Sequence, residues 1–478
     1  MNDLKFTLPF TTKKAPKGLS IFLVKEKDYK GWLSKQAADV KALANSQGFK
    51  PGGKLALITR NAKGQPSKVF ALVQDSIGIY DMPAALDQIK AQLSQDFIDK
   101  TVFELSTAKL KEEEITQALT GWALGGYQFN RYKAKKTKAA IMRWPEKANK
   151  KRVTAYARSI YMLRELINTP ANDLGPAQLE DAARFVAKEF KAKISVTADK
   201  KLLEKNFPVI YTVGEAAADD RRPRLIDLSW GKKTDPKLTL VGKGVSFDTG
   251  GLNLKPGQYM KLMKKDMGGA AHALALGWLV MALNLPVNLR VLVPAVENSI
   301  SGPAFRPSDI IKSRKGLFIE NTNTDAEGRL ILADSLTYAC EAKPDLVIDF
   351  ATLTGSARAA LGEDIPAFFA TDSKTAATLQ NLSVDIDDPV WRMPLWQDYK
   401  RHVQNSNGDL VNSAGLPGDL IYSAIFLQQF MDGKTEWLHF DTFAWETSGR
   451  PGRAKGGKDT GLRSAFALLE SRYGKKKK

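Results

Sequence analysis

The chain has 478 residues, a formal net charge of +19, 43% hydrophobic residues and one cysteine, Cys340. That apolar fraction excludes a disordered chain, the length calls for two or three domains, and a lone cysteine excludes an internal disulfide and fits a reducing compartment. The start, MNDLKFTLPFTTKK, lacks the basic head and apolar run of a signal peptide. The most apolar stretch, residues 270–283, falls short of the ~20 residues that span a bilayer and contains His272. A cytoplasmic protein without a membrane segment is expected.

In chain order, LSIFLV (19–24), LALIT (55–59) and VFALV (69–73) are short apolar runs bounded by Lys, Gly and Pro, which predict buried strands. Residues 86–93 carry a helical pattern. These make a smaller N-terminal α/β domain, residues 1–145, without a chemistry-bearing motif. The basic stretch 131–152 marks its end, and residues 146–167 predict a linker helix, its helical pattern running over 153–167. NTPANDLGP (168–176) breaks that helix, because Pro170, Gly175 and Pro176 favour a loop. An amphipathic helix follows over 177–190. Strand 238–242, helix 266–283, strand 287–296, helix 329–342 and strand 345–353 then alternate. The second domain, residues 168–478, is therefore expected to hold a central mixed, mainly parallel sheet flanked by helices, and the chain as a whole is α/β. Ligands bind such sheets at the carboxyl ends of the strands. The basic tail 474–478 is expected to be disordered.

Three polar clusters fall at those ends. VGKGVSFDTGG (241–251) runs from a strand into a glycine-rich loop with Lys243 and Asp248; the lysine comes too early for a phosphate-binding loop. LKPGQYMKLMKKDMGGAAHA (254–273) supplies Lys255 and Asp266, and Asp266 taken singly reads as a helix N-cap. NTNTDAEGRLILADSL (321–336) places Asp325 and Glu327 before a helix. Arg329 in its first turn opposes the helix dipole, which makes sense if the site holds an anion. Together these segments offer three aspartates, a glutamate and two lysines, hard ligands that suit divalent cations, two of which need bridging carboxylates. The histidines, His272, His402 and His439, read as structural, and Cys340 as a small buried hydrophobe. The positive balance reads as a solvated face; a nucleic-acid partner is possible on charge alone but unsupported by any motif.

On these motifs the second domain resembles the leucyl aminopeptidases of peptidase family M17. NTDAEGRL stands unbroken at 323–330, VGKGxxFDxGG at 241–251 and KxDMxGAA at 264–271; NTPANDLGP and ATLTG (351–355) are similar to further family segments. The likeness extends over residues 155–469. It implies a metal-dependent aminopeptidase with two divalent ions per subunit, Mn²⁺ or Zn²⁺, and a bicarbonate. By resemblance, Asp248 and Glu327 bridge the metals, Asp325 and a backbone oxygen complete one site, and Lys243 and Asp266 complete the other. Lys255 is the electrophile, and Arg329 holds the bicarbonate that acts as general base. A bridging water would attack the first peptide carbonyl, and the substrate's α-amine would bind the second metal. Met263, Thr352 and Gly355 would line an apolar pocket for a leucine-like residue, with Leu353 and Asn323 also binding substrate. Resemblance further implies peptide substrates and a homohexamer. Two departures stand out: Thr249 replaces a frequent serine, and HFDTFAWETSGRPGR (439–453) replaces an Ala/Gly-rich segment where pocket wall and subunit contacts are expected.

Overall fold

The structure, a computed structural model, describes residues 6–13, 18–134, 138–405 and 407–474. Of the basic tail, residues 475–478 lie outside the described residues, as do residues 1–5 of the start. The chain forms two compact units. Residues 5–161 with 447–455 make one, and residues 162–446 with 456–478 chiefly make the other.

The first unit is built on a six-stranded sheet in the order Phe10–Thr11, Ile141–Arg143, Val102–Leu105, Gly18–Lys25, Pro66–Val73, Ala56–Arg60. Only the last strand runs antiparallel to its neighbour. Period-two alternation feeds two cores. Val69 and Ala71 pack with Leu86 of the helix Asp81–Gln92 and Trp122 of the helix Glu112–Gly126, while Phe70 and Leu72 pack with Phe49 and Ala44 on the other face. A parallel sheet needs both faces covered in this way. Residues 447–455 rejoin this unit late in the chain, a discontinuity that no sequence pattern marks.

The helix Lys150–Asn168 leads into the second unit. Its main sheet comprises β1 (Lys193–Thr197), β2 (Arg224–Trp230), β3 (Lys237–Gly242), β4 (Gly244–Asp248), β5 (Asn288–Asn298), β6 (Leu346–Ala351), β7 (Ala367–Ala370), β8 (Trp391–Arg392) and β9 (Glu436–Asp441). The order is β8-β7-β9-β6-β3-β5-β2-β1, with β4 also pairing β5. Five of these pairings are parallel (β3–β5, β4–β5, β3–β6, β6–β9 and β7–β8), and the outer ones at β1–β2, β2–β5 and β7–β9 are antiparallel. The sheet is mixed and mainly parallel, as the alternation of runs predicts.

Helices cover both faces. Val241, Leu292, Val347 and Trp437 pack with Leu330, Ile331 and Leu336 of α2 (Glu327–Glu341). Phe350, on the alternate face of β6, stacks on His272 of α1 (Gly268–Ala282) at 5.5 Å between centroids. α1 is apolar nearly all round, and all but its last residue are buried. That is the signature of a core helix, and among the described residues no helix is long and apolar enough to cross a membrane. α1 lies unusually close to the sheet: a Cβ added to Gly242 would sit 2.6 Å from the Ala270 Cα. Ala270 N donates to Lys243 O at 2.8 Å, and Lys243 N donates to Phe350 O at 3.0 Å. The glycines at this crossing let the helix start reach the carboxyl ends of β3 and β6.

Candidate active site

Five parallel neighbours, β4, β5, β3, β6 and β9, end on one edge of the sheet, and the polar residues collect there. Lys243 follows β3, Asp248 closes β4, Asn298 closes β5, Thr352 follows β6 and Asp441 closes β9. Asp248 is 2% exposed. Its Oδ1 accepts hydrogen bonds from Asn298 Nδ2 and Gly250 N, both at 2.8 Å, and its Oδ2 lies 2.9 Å from Lys255 Nζ. One oxygen is therefore committed to the backbone turn and the other faces the cluster.

Asp266 is not the helix cap that its position suggests in isolation. Met267 occupies the N-cap of α1 and makes no side-chain cap. Asp266 instead accepts from Thr352 Oγ1 at 2.7 Å through Oδ1 and meets Lys243 Nζ at 2.7 Å through Oδ2. Lys243 Nζ also lies 2.9 Å from Glu327 Oε1 and donates to Thr352 O at 3.0 Å. Glu327 is the first residue of α2, and Gly328 beside it leaves the room that the Lys243 side chain fills; a Cβ there would overlap Lys243 Cε. Asp325 pairs closely with Lys255, and its own N donates to Asn323 Oδ1 at 2.9 Å.

Asp248, Asp325 and Glu327 each present a carboxylate oxygen, and these oxygens lie within 4.8 Å of one another. Asp266 Oδ2, Asp325 Oδ1 and Glu327 Oε1 are buried, and among the described residues the only cations beside them are the Lys243 and Lys255 ammoniums, poorly aligned as hydrogen-bond donors. Buried carboxylate oxygens with unused lone pairs are what a divalent cation satisfies. The donor set therefore fits a metal centre of hard ligands.

Charge crowding shows in the titration behaviour. Burial and then the Asp248 charge raise Asp325 to about 6, and the same two causes raise Glu327 well above the usual carboxylate range. Asp266 is also buried, but Lys243, Lys265 and Lys255 outweigh that and hold its carboxyl low. Burial disfavours the Lys243 and Lys255 ammoniums, yet the surrounding carboxylates outweigh it and raise both.

Lys243, Asp248, Lys255, Asp266, Asp325 and Glu327 thus form one connected network. Arg329 stands beside it, one turn into α2. Its Nη1 donates to Asn412 O at 2.8 Å and its Nη2 to Asp419 Oδ1 at 2.9 Å, while its buried Nε has no hydrogen-bond partner among the described residues. Thr352 touches Asp266 and Lys243. Leu353 is positioned by its N–H, which donates to Asp441 Oδ1 at 3.0 Å. Asn323 O accepts from Asn412 Nδ2 at 2.7 Å. Met263 opens the turn Met263–Lys265 before α1, and Gly355 opens the helix Gly355–Leu361.

Sequence reasoning passes over Asn298, Asn412, Asp419 and Asp441. Asn298 and Asp441 each end a sheet strand, a position that marks them once the strands are in register. Asn412 and Asp419 lie in a stretch where the sequence shows no motif. The histidines stay outside the cluster: His272 contacts Gly268 O at 2.7 Å, His439 pairs with Asp349 at 2.6 Å, and His402 packs on Tyr399 at 4.9 Å between centroids. Cys340 is buried and unbridged.

Comparison with known proteins follows the same division. The model of the cytosol aminopeptidase family's catalytic domain matches residues 161–465, and that of the M17 aminopeptidase N-terminal domain matches residues 19–145. A probable cytosol aminopeptidase of Aquifex aeolicus is 35% identical over 390 residues, 79% of each chain. One from Syntrophotalea carbinolica is 41% identical over 315 residues, 65% of this chain and 63% of that one. The crystal structure of the Coxiella burnetii cytosol aminopeptidase superposes with a TM-score of 0.90 at 42% identity, covering 97% of this chain and 99% of that one. The bottromycin maturation enzyme BotP, solved in complex with Mn, gives a TM-score of 0.82 at 29% identity, covering 95% and 99%.

Proposed function

The chain belongs to the cytosol aminopeptidase family, M17, and is a metal-dependent aminopeptidase acting on peptides; from that premise we propose which of its residues carry the reaction. The observation that carries the proposal is the convergence of the Asp248, Asp325 and Glu327 oxygens within 4.8 Å, flanked by the buried Lys243 and the half-buried Lys255. Asp248 and Glu327 would be shared between two divalent ions. Asp325 and a backbone oxygen of its loop would complete one site, and Lys243 and Asp266 the other. The ions are Mn²⁺ or Zn²⁺; a BotP structure with Mn supports the former. Once bound, they supply Lewis acidity at the scissile carbonyl and an acidified water as nucleophile.

The protein's own groups do the rest. Lys243, held as an ammonium by Asp266 and Glu327, would serve as a ligand in its neutral form, so its proton would have to leave the site. Lys255, whose ammonium pairs with Asp248 and Asp325, would steady the charge developing on the carbonyl oxygen once those carboxylates serve as ligands. Arg329, anchored through Asn412 and Asp419, keeps Nε for a bicarbonate that serves as general base. Leu353, oriented by Asp441, offers backbone hydrogen bonds to the substrate, and Asn323 lines the same mouth. Met263, Thr352 and Gly355 shape the pocket for a leucine-like first residue. The balance is that of amide hydrolysis: water is consumed, and one amino acid and a shortened peptide are released. The working assembly is a homohexamer in the cytoplasm. No observation favours a nucleic-acid role.

Leucine p-nitroanilide tests this reading. Hydrolysis should be abolished by a chelator and restored by Mn²⁺ or Zn²⁺. Asp325→Ala should lose at least about a hundredfold in kcat/KM, as displaced catalytic groups do; full activity in that variant would sink the assignment.

A further inference from the structure

Lys265 has no counter-ion. It ends the turn Met263–Lys265 with 5% exposure, yet among the described residues no hydrogen bond or ion pair reaches its ammonium. Its neighbour is the ring of Phe443, whose centroid lies 4.6 Å from Nζ. Burial disfavours its charge most; Asp266 and Asp441 attract it from a distance and Lys243 and Lys255 repel it, none closing to a contact. An ammonium withdrawn from water and left unpaired is costly, and an anion placed beside it relieves that cost.

A second cation stands on the same ring. Arg358 Cζ lies 4.6 Å from the Phe443 centroid, and Arg358 sits in the helix that Gly355 opens. Phe443 itself is tied to the third pocket element. A Cβ added to Gly268 would meet Ala444 Cβ at 2.7 Å and Thr352 Cγ2 at 3.0 Å, so the residue after Phe443 and Thr352 both border Gly268. The turn carrying Met263 and the helix carrying Gly355 therefore each bring a positive charge to Phe443, and Thr352 shares the neighbour Gly268 with the next residue, Ala444.

We propose that Lys265, assisted by Arg358, is a specificity determinant that receives a side-chain carboxylate, so that the enzyme releases N-terminal glutamate and aspartate as well as leucine-like residues. This rests on the reading that Met263, Thr352 and Gly355 line the first-residue pocket. The methylenes of a glutamate pack against those walls as a leucine would, and its carboxylate pairs with the ammonium that nothing else neutralises. Glutamine has the same shape without the charge, which makes it the discriminating control.

The Mn²⁺-loaded enzyme is assayed on Leu-, Gln- and Glu-p-nitroanilide. These substrates have no terminal carboxylate, so any acidic preference comes from the side chain and not from a dipeptide's C-terminus. The expected result is a Glu/Gln ratio in kcat/KM of about tenfold or more, expressed mainly in KM. The ratio should fall to near unity in Lys265→Met and partly return in Lys265→Arg. Each ratio is taken within one variant, so a general loss of activity does not disturb it. If Lys265→Met does not fold, the exposed Arg358→Met should lower the ratio in its place. A wild-type ratio of one or less with leucine still cleaved overturns this inference alone, as does an unchanged ratio in Lys265→Met. No turnover of any of the three overturns the parent reading and this one with it.

Discussion

Asp325 and Glu327 resist ionisation because Asp248 is beside them and burial withholds water. The folded, metal-free chain therefore binds a proton at Asp325 more tightly than the unfolded chain does. The stability this proton lends is present at acid pH and is lost as pH rises from about 4, the unfolded value, through about 6. Metal needs the ionised carboxylate, so its affinity runs the opposite way. Apparent Mn²⁺ affinity should climb by an order of magnitude or more between pH 5 and pH 7, with proton release seen by calorimetry in buffers of different ionisation enthalpy. Flat affinity across that range would contradict the ligand set. Lys243 and Lys255 are raised, so their ammoniums contribute fully at neutral pH and are lost only in strong alkali. Asn298 is a separate residue-scale test. Asn298→Ala leaves Asp248 Oδ1 with only the Gly250 N–H, which should cost about 1–3 kcal/mol in denaturant unfolding and on the order of tenfold in metal affinity. These residues show unequal legibility. Lys243, Asp248, Lys255, Asp266, Asp325 and Glu327 are readable because they sit in short motifs. Asn298 is not, since its partner lies 50 positions away and only the β4–β5 pairing brings them together.

At the scale of elements, the site depends on helices starting very near strand ends. α1 approaches β3 and β6 through Gly242 and Gly269, and α2 begins at Glu327 with Gly328 against Lys243. Hydrophobic periodicity predicts these elements well: strand 287–296 is observed as Asn288–Asn298, helix 329–342 as Glu327–Glu341 and strand 345–353 as Leu346–Ala351. It does not predict how closely they pack. Gly328→Ala should push Lys243 from Asp266 and Glu327, lowering bound metal by one ion per chain and activity by about a hundredfold. Metal analysis of the purified variant checks this, and an unchanged content of two ions would refute it. The cap that Asp266 suggests when taken singly is not formed, for a related reason. Its carboxylate is drawn to Thr352 and Lys243, groups that tertiary packing supplies, so α1 begins at Gly268 with Met267 as an N-cap that makes no side-chain bond.

For the whole molecule, metal loading and folding are linked. Each ion that binds the native state alone adds about 2.7 kcal/mol at a hundred times its Kd. Chelation should therefore lower the Tm of the unit holding residues 162–446, and Mn²⁺ should restore it. Light scattering of the metal-loaded protein should give six times the chain mass, whereas a monomer would overturn the proposed assembly. The +19 charge predicts solubility. Residues 447–455 show where sequence reasoning stops at this scale: they belong to the N-terminal unit, yet follow β9 in the chain.

The sequence by itself determined the α/β class, the alternation that builds a mainly parallel sheet, and the cluster of residues proposed as metal ligands. All three are local properties, carried by periodicity and short motifs. Only the tertiary structure decided which oxygen of Asp248 remains free, what holds Arg329, how Asp441 orients Leu353, and that Lys265 is buried on Phe443 without a counter-ion. Those contacts join residues 50 to more than 170 positions apart, and they exist because strand register and close helix–sheet approach bring distant ends to one edge.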